Sequence, residues 1–223
     1  MSESSSAADQ VSVLINKGRP KEARQLAQRF LNESPNITDA NFFFQYALAE
    51  QMTGNRNDLF RQLWKRASEC GNYTVTMEGD FYRDWALAEL RHGNITKSER
   101  LLKEARSRHI GDINREAVIV MVEARITFSD HDYDESVRLH RQAELMWTSL
   151  GSRAHKQWVK NNQFHQLRAV TSSTRHSKEY KELLYKTIVQ NDDSRNHRIG
   201  AWLARYLGRF GNAVYDFIAK YLG

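Results

Sequence analysis

His131-Asp132-Tyr133-Asp134-Glu135-Ser136 is a short polar turn set between two runs of helical periodicity, and its layout recurs along the chain. Lys17-Gly18-Arg19-Pro20-Lys21-Glu22-Ala23, Gly54-Asn55-Arg56-Asn57-Asp58-Leu59 and Gly93-Asn94-Ile95-Thr96-Lys97-Ser98 share it. Weaker copies stand at Arg175-His176-Ser177-Lys178-Glu179-Tyr180 and Gly211-Asn212. With positions 18, 54, 93, 131, 175 and 211 taken as equivalent, the intervals are 36, 39, 38, 44 and 36 residues, one helical hairpin each. Gly accepts positive φ just past a helix end without steric cost, and Asn or Asp caps the helix that follows. His131 stands where the other well-formed turns have Gly.

The flanking runs read as helices. Phe43, Tyr46, Ala47 and Glu50 recur at three- and four-residue spacing before the second turn, and Leu59, Leu63 and Ala67 do so after it. Tyr82, Trp85, Ala86 and Leu90 repeat the pattern before the third turn, and Leu101, Leu102 and Ala105 after it. Composition agrees: 2 prolines and 11 glycines in 223 residues are too few turn formers for a mostly β chain, and 40% hydrophobic residues suffice for a core. The single cysteine, Cys70, cannot close an internal disulfide and points to a reducing compartment. Residues 1–8 read as a disordered, Ser/Ala-rich lead-in without the features of a secretory signal, and no apolar run is long enough to span a membrane. The expected location is cytoplasmic.

At these residues the chain resembles the tetratricopeptide repeat (TPR) family, in which a turn like Gly-Asp-Tyr-Asp-Glu-Ala joins two helices. His131-Asp132-Tyr133-Asp134-Glu135-Ser136 differs from it at the first and last residues. Ala23, Ala27 and Pro35 match the family's small residues and terminating proline in the first repeat. Tyr46-Ala47 through Lys65-Arg66-Ala67, and Trp85 through Glu104-Ala105, are similar to the half-a-TPR variant. The resemblance implies an all-α fold, a right-handed α-solenoid of about six hairpins with a concave face lined by the first helix of each. Residues 9–150 would form TPR-like repeats, and 151–223 divergent basic, aromatic-rich repeats with a C-terminal capping hairpin. The family's groove-facing positions fall on Asn41, Phe44 and Gln51, on Arg83, on Arg125, and on Asn162, His165 and Arg205. The implied function is non-enzymatic: an adaptor binding a peptide or protein segment, with Arg83, Arg125 and Arg205 gripping carboxylates and Asn41, Gln51 and Asn162 bonding the ligand backbone.

Charge supplies an alternative. Residues 1–151 hold 20 basic and 22 acidic side chains, a net −2, whereas 152–223 hold 13 basic and 5 acidic, a net +8. The basic residues are interleaved with Trp158, Phe164, Tyr180, Tyr185, Trp202, Tyr206, Phe210, Tyr215, Phe217 and Tyr221, a combination suited to RNA or single-stranded DNA, and also to an acidic protein. Helical spacing of Trp202, Tyr206 and Phe210, and of Phe217 and Tyr221, favours core packing for these rings. In 198–223 an interruption at Gly208, Gly211 and Asn212 favours a capping hairpin, with Asn212 as cap, over a membrane-surface helix. A peptide-sensing regulator is a further alternative, though no output domain is visible.

Catalytic patterns are missing. Asp130, Asp132 and Asp134 alternate as in an EF-hand loop, but Glu135 and Arg141 occupy the positions that would need Gly and a bidentate Glu. No phosphate loop, nucleophile elbow or His-Glu-x-x-His helix occurs. His131 and His140 read as residues of a solvated helix end, and Cys70 lies at a helix end that disfavours its thiolate. No metal or cofactor is expected.

Overall fold

His131 adopts φ 66°, beside 69° at Gly18 and 79° at Gly93, so the recurring turns share one left-handed residue whether or not it is glycine. Its ring reaches the Tyr133 hydroxyl at 3.0 Å. Asp132 then caps the following helix by accepting from the Glu135 N–H at 3.1 Å. In this computed structural model, which describes residues 6–53, 59–173, 178–191 and 195–221, each such turn separates two helices. The turns expected at 54 and 175 lie outside the described residues.

The helices are α1 (Ala7–Asn16), α2 (Pro20–Glu33), α3 (Ala40–Met52), α4 (Leu59–Cys70), α5 (Val75–Arg91), α6 (Ile95–Arg108), α7 (Ile113–Ser129), α8 (Tyr133–Leu150), α9 (Lys156–Ser172), α10 (Lys178–Asn191) and α11 (Arg195–Tyr221). Among the described residues there is no strand. Helix α1 starts inside the expected lead-in, held by a reciprocal capping box between Ser6 and Asp9. The chain divides into two compact units, Met1–Asn94 with Lys103–Arg108, and Ile95–Leu102 with His109–Gly223.

In the first unit α1 packs on α2 and α3, α2 on α3, α3 on α4 and α4 on α5. Helix α3 therefore meets the second helix of its own hairpin, α4, and that of the one before, α2. In the second unit α7 packs on α8 and α9, α8 on α9, and α9 on α10 and α11, with α10 also on α11. First helix against first helix, α1 to α3, α7 to α9 and α9 to α11, is the contact that stacks hairpins into a solenoid.

The repeat is sharper in burial than in the turns. Second helices hide Phe60, Leu63, Trp64 and Ala67 in α4, then Ser98, Leu101, Leu102 and Ala105 in α6, then Ser136, Leu139, His140 and Ala143 in α8, at constant intervals of 38. First helices keep buried Ala47, Ala86, Ala124 and Ala169 in register.

The sixth turn is displaced from its expected place. Within α11 the backbone leaves helical geometry at Gly208, with φ 54° and ψ −129°, and the chain folds back there. A Cβ at Gly211 would lie 2.0 Å from the Leu203 carbonyl oxygen, and one at Gly200 would lie 2.7 Å from the Tyr215 ring, so the two arms are in close contact. The terminal hairpin thus turns three residues before Gly211. Asn212 is not a cap: its buried amide donates to the Arg168 carbonyl at 3.0 Å and to Ser172 Oγ at 2.9 Å, tying the second arm to α9. Burial of the amide requires those partners, and the start of an exposed helix offers none.

Candidate functional site

The eight expected partner-binding residues are shared between the units. In the first, Asn41 and Gln51 are half-buried on α3, and Asn41 Oδ1 accepts from Gln45 at 3.4 Å. Phe44 packs against the core, edge-on to Trp64 at 5.2 Å and against Phe81 at 4.6 Å. Arg83 makes two 3.0 Å bonds to Asp84 and another to Asp80, leaving its side chain 12% exposed. Its guanidinium already has two carboxylates of its own.

In the second unit, Asn162 and His165 lie against His140, and Arg125 is half-buried on α7. Asn162 is buried: its Nδ2 donates to the His140 carbonyl at 3.0 Å, so its Oδ1 must accept from His140 Nδ1, at 2.7 Å. That fixes the imidazole tautomer and leaves Nε2 as a buried lone pair without a partner. His165, half-buried, lies parallel to His140, with 6.3 Å between ring centroids. Burial lowers the His140 pKa to about 4; the Asn162 bond opposes this, and the charges of Arg125 and Arg168 reinforce it. His140 is therefore a neutral core residue and not part of a solvated helix end; it occupies the slot held by Trp64 in α4 and Leu102 in α6.

Arg205 lies over the Tyr185 ring at 4.2 Å and the Tyr206 ring at 4.9 Å while paired with Glu182 at 2.8 Å. Trp202 and Tyr206, expected in the core, are exposed: helical spacing groups residues on a face without saying which way the face points. His131 is exposed at its helix end. Burial raises the pKa of the half-buried Cys70 thiol, against the nearby charge of Arg66.

Two features escaped the sequence reading. Buried Glu50 on α3 accepts from Arg24 on α2 at 2.8 Å, and buried Glu89 on α5 accepts from Arg61 on α4 at 3.0 Å. Each pair ties the second helix of one hairpin to the first helix of the next, 39 residues apart in the acids and 37 in the arginines. That spacing, within one residue of the corresponding turn intervals, was the available signal. The second is Arg168, buried over Phe128 at 5.0 Å and Tyr215 at 5.2 Å and bonded to Asn212 Oδ1 at 3.4 Å, for which a single basic residue in a helical run gives no signal.

Among the described residues no group of three or more His, Cys, Asp and Glu side chains could hold a metal ion, and no helix is long and apolar enough to cross a membrane. No family model and no curated protein matches the chain. Its fold is similar to that of a solved structure of PilF from Pseudomonas aeruginosa, a TPR-containing protein, with a TM-score of 0.61 over 97% of this chain and 91% of that one, at 11% identity. At that identity the likeness is one of fold, an all-α stack of helical hairpins.

Proposed function

We propose that the chain is a non-enzymatic scaffold that binds a protein or peptide segment along the first helices of its hairpins. One observation carries this reading: first helix packs on first helix from α7 to α9 to α11, so the second unit offers a surface made of several helices to a single extended ligand. In the second unit Arg125 and His165, neither fully buried, are the residues assigned to contact it; on the first unit, taken by itself, Asn41 and Gln51 on α3 are the corresponding candidates. Phe44, Arg83, Asn162 and Arg205, with the contacts described above, act in the proposed site by holding their helices in place. The excess of basic residues suits an acidic segment.

The test is capture of partners from native lysate by the tagged full chain, with and without nuclease, followed by calorimetry on a captured protein. Arg125→Glu should weaken a nuclease-resistant partner at least about tenfold by reversing the charge offered to a carboxylate. An unchanged affinity for both Arg125→Glu and His165→Ala would remove this face from the site.

A further inference from the structure

Among the described aromatic side chains of the basic third, packing takes up most: Phe164 is buried, and Trp158, Tyr180, Tyr185 and Tyr215 are half-buried. Trp202 and Tyr206 are the exceptions among the described rings of this segment, with half or more of each exposed, at 50% and 58%. One helical turn apart on α11, their ring centroids are 5.3 Å apart and their planes inclined at 45°. Arg198 and Ile199 are exposed on the same turn of helix. The Arg205 guanidinium lies over the Tyr185 and Tyr206 rings and is paired with Glu182.

A surface that leaves a Trp and a Tyr side by side in water forgoes hydrophobic stabilisation that burial of either ring would supply. The segment around them has a net +8. Flat π faces next to arginines, in a field of positive charge, match a polyanion that presents flat rings of its own. A duplex keeps its bases stacked inside, and an acidic peptide carries charge without regularly placed rings; an unpaired strand has both. We infer that the exposed face of α11 binds an unpaired nucleic-acid strand, bases stacking on Trp202 and Tyr206 and phosphates drawn by Arg198 and the positive charge of the segment. The site uses neither Arg125 nor His165 and does not rest on the scaffold reading.

Fluorescence anisotropy of the full chain decides it, with labelled oligo(dT) and oligo(U) of about twenty nucleotides, an oligo(dA)·oligo(dT) duplex of that length and an oligoglutamate of that length. Both single strands should bind, with duplex and oligoglutamate at least about tenfold weaker. Two or more phosphates engaged give a slope of about −1.4 or steeper in log affinity against log salt. Trp202→Ala and Tyr206→Ala should each weaken oligo(dT) by about tenfold, while Trp202→Phe stays within about threefold because it keeps a ring. Both rings are exposed, so these variants should fold, which circular dichroism checks, and the preference of the unmodified chain for single strands needs no variant.

Oligoglutamate binding as tightly as oligo(dT) would transfer the face to an acidic protein partner. Oligo(dT) bound equally by Trp202→Ala and Tyr206→Ala, a duplex bound as well as its single strand, or no binding of either strand at about 50 mM salt would each overturn the inference.

Discussion

At position 140 an imidazole stands where the two preceding second helices have Trp64 and Leu102, and its partner Asn162 stands where earlier first helices have Ala40, Gly79 and Ala117. Where those positions hold a large apolar residue and a small one, His140 and Asn162 form a hydrogen-bonded polar pair, satisfied at Nδ1 and empty at Nε2. Burial lowers the folded-state pKa of His140 from 6.5 to about 4, so its contribution to stability is complete above pH 6.5, declines as the pH falls, and is gone near pH 4. That loss amounts to about 3 kcal/mol. The double variant His140→Leu/Asn162→Ala restores the residues found at 102 and 117. Its stability relative to the parent should rise by about that amount between pH 7 and pH 4 in urea titrations. A difference independent of pH would mean that the imidazole charges freely in the folded state. Sequence reading placed His140 near acidic residues at a helix end; only its register against Trp64 and Leu102 marks it as internal.

Elements were legible where their signals are local. Gly-led turns and alternating helical faces located the hairpins because a left-handed residue and a capping Asp act within one turn of chain. The last turn was misplaced because Gly208 and Gly211 offer the same residue type for different reasons: the first supplies positive φ, the second allows the returning arm to approach Leu203. The ties between elements showed only as a spacing of about one repeat, since an Arg and a Glu 28 residues apart carry no local mark. Glu89 is fully buried and accepts from Arg61, from Trp85 Nε1 at 3.0 Å and from Asn94 at 2.7 Å. Arg61→Met would leave that carboxylate without its counter-charge, at a cost of about 3 kcal/mol in chemical unfolding. Arg61→Met with Glu89→Met should recover most of the loss, because the apolar pair needs no compensation. If the double variant is no more stable than the single, the carboxylate is not what the arginine serves.

On the scale of the whole chain, charge and fold are distributed differently. The hairpin pattern runs through both units, while the basic excess is confined to the last 72 residues, where α9, α10 and α11 pack on one another. Of the expected groove residues Asn162 is buried and the other seven are half-buried; Asn41, Gln51, Arg125 and His165 are the ones the proposal assigns to meet a partner directly. Family register alone could not separate them from Phe44 and Asn162, whose side chains pack inward.

Helix α9 touches α7, α8, α10 and α11, and Leu167, Ala169 and Val170 on it have no exposed surface. An amide there can meet deuterium only when several neighbours have let go together, whereas α10 has two. In heavy water the amides of α9 should therefore be the slowest of the second unit to gain mass, trailing those of α10 by at least about tenfold in time. Equal uptake in the two helices would show that the unit opens as a single piece.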